Sequence, residues 1–123
     1  GTLRNTGERT ETCQYYAFYF GLADRSSHPE LWKELLEQYA EVRPDGVKRE
    51  GEALYPSNAV MGKVLRLLLM DRYGLRDELL TNIRGTYGYM AERTGTLWEY
   101  LSTSASCNHG FASIIGALLL KYA

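Results

Sequence analysis

Cysteine, histidine and proline are scarce in this chain, at two, two and three among 123 residues. Two cysteines, Cys13 and Cys107, are too few to frame a disulfide-stapled fold, and they are expected as separate buried thiols. Cys107 lies near His109, but a metal centre needs three or four ligands at suitable spacing, and His28 is the only other histidine. Neither metal nor thiol catalysis is therefore expected. An excess of one charge is also lacking: 14 basic residues face 15 acidic ones, for a net charge of −1. That balance leaves no electrostatic footprint for nucleic acid or an anionic membrane. The apolar run from Val64 to Met70 is broken by Arg66 and far too short to span a bilayer. Internal repeats, low-complexity tracts, linkers and a convincing strand alternation are all missing. No signal-peptide pattern opens the chain, but Gly1 reads as an internal start, so the compartment stays open.

What remains is helix. The length suits one domain or a piece of one, able to bury roughly two-thirds of its unfolded surface. Hydrophobic periodicity predicts five helices, over about Thr10–Ala23, Pro29–Val42, Asn58–Tyr73, Leu75–Arg93 and Gly110–Tyr122. Ser27 and Glu30 read as a capping box for the second, with Pro29 in its first turn. Gly74 reads as the stop of the third. The first, third and fifth helices are apolar on nearly all faces, and the second and fourth carry a single apolar stripe. Apolar on all sides means buried on all sides, whereas one stripe means that the other face meets water. With short turns making neighbours antiparallel, the three apolar helices should run parallel, wrapped by the other two. The expected fold is all-α: an (α/α) toroid or part of one, with inner and outer helices alternating.

Loop lengths place the chemistry. The connections entering the apolar helices, Arg43 to Ser57 and Thr94 to His109, are long, and loops of that length in a compact domain are functional or disordered. Both should lie on one rim, at helix starts with free N–H groups and partial positive charge. Glu11, Tyr55, Asn58, Glu99 and His109 would converge there.

Glu99 can activate water or stabilise a sugar-derived cation; an inverting glycosidase pairs such a base with an acid roughly 6.5–9.5 Å away. Its other reading is a solvated loop glutamate. Trp98 offers a face for a pyranose or an anchor for the loop. Asn108 suits the N-cap of the fifth helix, leaving His109 to donate to a substrate hydroxyl. Glu11 is either a substrate contact or an N-terminal helix charge, and Tyr55 is the one tyrosine considered for the site.

Three stretches, RTETCQYYAFYFGLA, YPSNAVMGKVLRLLLMDRYG and YMAERTGTLWEYLSTSASCNHGFAS, resemble the C-terminal half of the catalytic domain of bacterial α-L-rhamnosidases, glycoside hydrolase family 78. The resemblance runs from about Thr10 to Ser113, and the LWE and SxNHG motifs together carry it. It implies an (α/α)6 barrel that hydrolyses terminal α-L-rhamnose with inversion, using no metal or cofactor. It assigns Glu99 as general base and His109 as a sugar contact, with Trp98 shaping the pocket. Glu11, Tyr55 and Asn58 match recurring sequence without an assigned role.

The family's general acid lies in an upstream acidic, glycine-containing segment that has no counterpart here. Residues 1–123 are thus expected to be one half of a catalytic domain, holding the base side of a site and inactive alone. Bare inner-helix edges should make the piece self-associate. The periplasm or cell exterior would suit a parent enzyme of this kind. Two competing readings are another toroid glycosidase, of glucuronyl hydrolase or trehalase type, and a helical-hairpin module with a concave protein-binding surface.

Overall fold

The computed structural model describes residues 7–43 and 46–122, and those residues are mostly helical. Helix α1 spans Glu11–Tyr19, α2 Pro29–Gln38 and α3 Val60–Arg72. A continuous outer helix follows, made of α4 (Arg76–Asn82), a π-helical stretch (Ile83–Gly88) and α5 (Tyr89–Thr94). A 3-10 turn (Gly110–Ser113) then leads into α6 (Ile114–Tyr122). Among the described residues the only β pairing is two isolated bridges, Thr10 with Tyr55 and Ala59 with Tyr100.

Contacts at the helix ends fix the direction of α1, α3 and α6. At their starts, the Glu11 carboxylate accepts the Ser57 N–H, and the Val60 N–H reaches the Glu99 carbonyl at 2.7 Å. The His109 N–H meets the Leu97 carbonyl at 2.9 Å in the same loop. At their finish, Arg72 donates to the Tyr19 carbonyl at 2.9 Å, while Lys121 and the Tyr122 hydroxyl both bond Asp71. The three helices therefore run the same way, with α3 in the middle. Helix α2 covers α1 and α3 through Trp32, Leu35 and Tyr39, set against Tyr15, Phe18, Leu65 and Leu69. The outer helix covers α3 and α6 through Leu79, Ile83, Tyr87 and Met90, set against Val64, Leu67, Met70, Ile115 and Leu118. The result is two layers.

Of the three helices expected to be buried on all sides, only α3 is buried on most of its faces. Helices α1 and α6 bury a single stripe each, Glu11, Tyr15 and Phe18 in one and Ile115 and Leu118 in the other. Several apolar side chains on or beside them face outward: Phe20 and Phe111, flanking α1 and α6, are largely exposed, and Leu120 is 84% exposed. Between these uncovered faces and α3 runs an apolar groove of about 750 Å³, lined by Tyr16, Phe20, Met61, Leu68, Phe111 and Ile114 among others.

Several boundaries differ from the periodicity. Helix α1 stops at Tyr19 rather than Ala23, because Gly21 takes φ +75°. The Leu22 N–H then closes on the Ala17 carbonyl at 2.9 Å and the Gly21 N–H on that of Phe18, the double bond of a Schellman end. Gly74 ends α3 in the same way, as its position predicts: Leu75 bonds back to Met70 and Gly74 to Asp71. Helix α2 ends at Gln38, short of Val42.

The Ser27–Glu30 capping box does not form. Asp24 draws the Ser26 and Ser27 amides to its carboxylate, Ser27 Oγ turns back to the Asp24 N–H, and His28 occupies the cap position with its ring on Ser27 Oγ at 2.8 Å rather than on a helix N–H. Nor are the cysteines buried thiols: both are free, Cys13 exposed and Cys107 intermediate.

Where α1 crosses α3, Gly62 permits the approach. A Cβ built there would lie 2.0 Å from Ser57 Oγ and 2.5 Å from Thr12 Oγ1. Gly62→Ala should cost about 1–3 kcal/mol as the helices are forced apart, seen as a lower urea midpoint. An unchanged midpoint would mean that the helices can part there without penalty.

Candidate functional site on the helix-start rim

The loop after α5 opens at Gly95 (φ +72°) and is pinned by two plugs. Trp98, at 1% exposure, and Leu101 sink into the core between α3, the outer helix and α6. The indole N–H donates to Thr94 Oγ1 at 2.6 Å, and the ring meets Tyr89 edge-on. Trp98 is thus the loop's anchor, and its face is closed to a sugar; the stacking role considered for it is corrected.

Glu99 sits between the plugs and is half-buried. Both of its backbone groups are held: its N–H donates to the Ser106 carbonyl at 2.9 Å, and its carbonyl takes the first N–H of α3, from Val60. Two residues on, the Leu101 N–H bonds the Asn58 carbonyl at 2.9 Å. Among the described residues, no hydrogen bond or ion pair engages the Glu99 carboxylate.

His109 stands half-buried at the cap position of the 3-10 turn, its ring stacked on Phe111 with 6.1 Å between centroids. Asn108 is exposed and does not cap the helix; its N–H and carbonyl are both engaged with Ser106 Oγ. Tyr55 is 47% exposed on the same rim, with Lys48 Nζ 5.0 Å from its ring centroid. Asn58 contributes its carbonyl to the loop and lies close beneath Gly46. The backbone ladder thus gathers Glu99, His109, Asn108, Tyr55 and Asn58 at one end of the three parallel helices.

Glu11 is at the same end but fully enclosed, at 0% exposure, so a direct substrate contact is corrected. It accepts the Tyr15 hydroxyl at 2.6 Å and the Ser57 N–H, with Lys63 Nζ 3.7 Å away. Tyr15 in turn accepts from Arg66 at 2.7 Å. The buried Arg66 guanidinium also donates to Asn82 Oδ1 at 2.8 Å and to the Leu35 and Leu36 carbonyls at the end of α2. Those carbonyls belong to the last turn, where no intrahelical donor exists and no basic residue is present. Burial holds the Lys63 ammonium pKa below its usual value, with Glu11 opposing. Burial likewise pushes the Tyr15 phenol well up. This network joins α1, α2, α3 and the outer helix, and of its members the sequence flagged only Glu11 as a site residue. The signal available was Arg66 interrupting an apolar run.

No group of three or more His, Cys, Asp or Glu side chains able to hold a metal ion occurs among the described residues. No family model matches the chain, and neither a curated protein nor a solved structure does.

Proposed function

We propose that this chain is the base-bearing part of an inverting glycoside hydrolase that releases terminal α-L-rhamnose. The observation that carries the reading is the Glu99 carboxylate, half-buried and without a partner among the described residues, on a backbone held from both sides at the rim where three parallel helix starts meet His109. The likeness of the LWE and SxNHG segments to α-L-rhamnosidases supplies the sugar.

In this reading Glu99 takes a proton from water as the oxygen attacks the anomeric carbon, on the face opposite the leaving group. A carboxylic acid from an upstream segment gives its proton to the departing glycosidic oxygen. The anomeric configuration inverts and no covalent enzyme intermediate forms. The His109 ring donates to a sugar hydroxyl. Asn108 and Tyr55 lie on the same rim, while Trp98 and Glu11 support it from within. No cofactor enters.

The two layers would be completed by further inner and outer helices into an (α/α)6 toroid. The apolar groove is the edge on which such helices would pack, and without them it favours self-association of the 123-residue chain. Two assays test the reading. The longer enzyme should hydrolyse p-nitrophenyl α-L-rhamnoside and release the inverted sugar, whereas this chain alone should not turn it over and should scatter light as a dimer or larger at micromolar concentration. A longer enzyme with no rhamnosidase activity, or an active 123-residue chain, would overturn the assignment; a clean monomer would remove the association.

A further inference from the structure

Glu11 lies too deep to touch a substrate, yet it is one end of a short backbone ladder whose other end is Glu99. Residues 9–11 pair with residues 55–57: the Tyr55 N–H reaches the Arg9 carbonyl at 2.8 Å, and the Glu11 N–H reaches the Tyr55 carbonyl at 2.8 Å. The Glu11 side chain extends this pairing by one rung, since its carboxylate accepts the Ser57 N–H. On the far side of the same segment, Asn58 and Val60 bond Leu101 and Glu99 through the backbone, with the Ala59–Tyr100 bridge between them. Residues 57–60 are therefore clamped between one buried carboxylate and the strip that carries the other, half-buried one.

We infer that Glu11 is a positioning residue for Glu99, setting its register through Ser57 and the start of α3. The inference rests on the reading of Glu99 as the base. Its chemistry is specific to a carboxylate. An ionised carboxylate only accepts hydrogen bonds, so it holds the Ser57 N–H and the Tyr15 O–H together. Arg66 already donates to the Tyr15 oxygen, which keeps that hydroxyl proton directed at Glu11. Lys63 supplies the neighbouring cation, without which a buried carboxylate is costly. Sub-ångström placement matters here, because a 1 Å displacement of a catalytic group can cost about a hundredfold in rate.

Amide hydrogen exchange on the 123-residue chain tests the ladder without an activity assay. In the wild type, the Ser57, Val60 and Leu101 amides should share one opening reaction with one denaturant dependence. In Glu11→Gln/Lys63→Met, which removes both charges, Val60 and Leu101 should exchange at least tenfold faster while Met70 and Leu118 keep their wild-type rates. Separate opening of Ser57 from Val60 and Leu101 in the wild type would overturn the inference even if the variant failed to fold, and so would unchanged exchange at Val60 and Leu101 in the folded variant.

In the longer enzyme the same double substitution should lower kcat by 10- to 100-fold with KM within twofold. Combined with Glu99→Gln, it should add little to the loss caused by Glu99→Gln alone. A wild-type kcat in the Glu11 variant, beside an inactive Glu99→Gln enzyme, refutes the positioning role. Full turnover by Glu99→Gln would instead refute the base assignment beneath it.

Discussion

If the chain belongs to the inverting hydrolase proposed above, Glu99→Gln in that longer enzyme should lower kcat for p-nitrophenyl α-L-rhamnoside by about 10²- to 10⁴-fold, the usual worth of a general base and about 3–5 kcal/mol of barrier. Thermal stability should barely move. The bonds that hold the segment come from the Glu99 backbone, to Ser106 and Val60, and glutamine keeps both. The lost carboxylate has no partner among the described residues, so its removal leaves no buried group unpaired. Azide, a nucleophile that needs no base, should restore bond cleavage and give the rhamnosyl azide of inverted configuration. Kinetics and a melting curve on one preparation separate the outcomes: a fall in melting temperature matching the loss of rate would make Glu99 structural, and undiminished turnover would place the base elsewhere.

Arg66→Ala should destabilise the fold by about 3–5 kcal/mol, the cost of breaking a buried charged network from one side. Four acceptors lose a donor together: the Tyr15 hydroxyl, Asn82 Oδ1, and the Leu35 and Leu36 carbonyls at the negative end of the α2 dipole. Against a total stability of about 5–15 kcal/mol, the melting temperature should drop on the order of 10–20 °C. Arg76→Ala is the matched control. Arg76 is more than half exposed, its ion pair with Asp77 spans 3.6 Å, and its bond to the Tyr122 carbonyl at 3.0 Å is open to solvent, so its loss should stay within about 1 kcal/mol. Circular dichroism melts of the two variants decide the matter; equal melts for Arg66→Ala and Arg76→Ala would mean that the buried guanidinium network does not hold the layers together.

The parts of this fold that depend on near neighbours were legible in the sequence. Apolar spacing located five helical regions, and Gly74 marked the end of α3. Gly21 carried the same signal, but Leu22 and Ala23 continued the apolar pattern past it and hid the stop. Asp24 defeated the Ser27 cap for a similar reason: two local hydrogen-bonding schemes competed, and composition alone does not rank them. The long loops rightly pointed to one rim, because parallel helices force their entry loops to the same end.

Inward or outward direction within those loops was not legible. Trp98 and Glu99 are adjacent, and only the packed core shows that the indole plugs inward while the carboxylate is left without a partner among the described residues. Helices α1 and α6 looked buried on all sides because their composition is apolar, but the described residues cover one stripe of each. The Glu11–Lys63–Arg66 network lay furthest from view. Its contacts join positions separated by 46 residues between Glu11 and Ser57, and by 51 between Tyr15 and Arg66, and nothing local announces them.

The most direct measurement is a crystal structure of the proposed longer enzyme soaked with L-rhamnose. The sugar should lie at the common start of α1, α3 and α6, with the Glu99 carboxylate facing the anomeric carbon through one water and the His109 ring on a hydroxyl. Rhamnose seated elsewhere, or on this rim with Glu99 turned away from the anomeric carbon, would contradict the assignment.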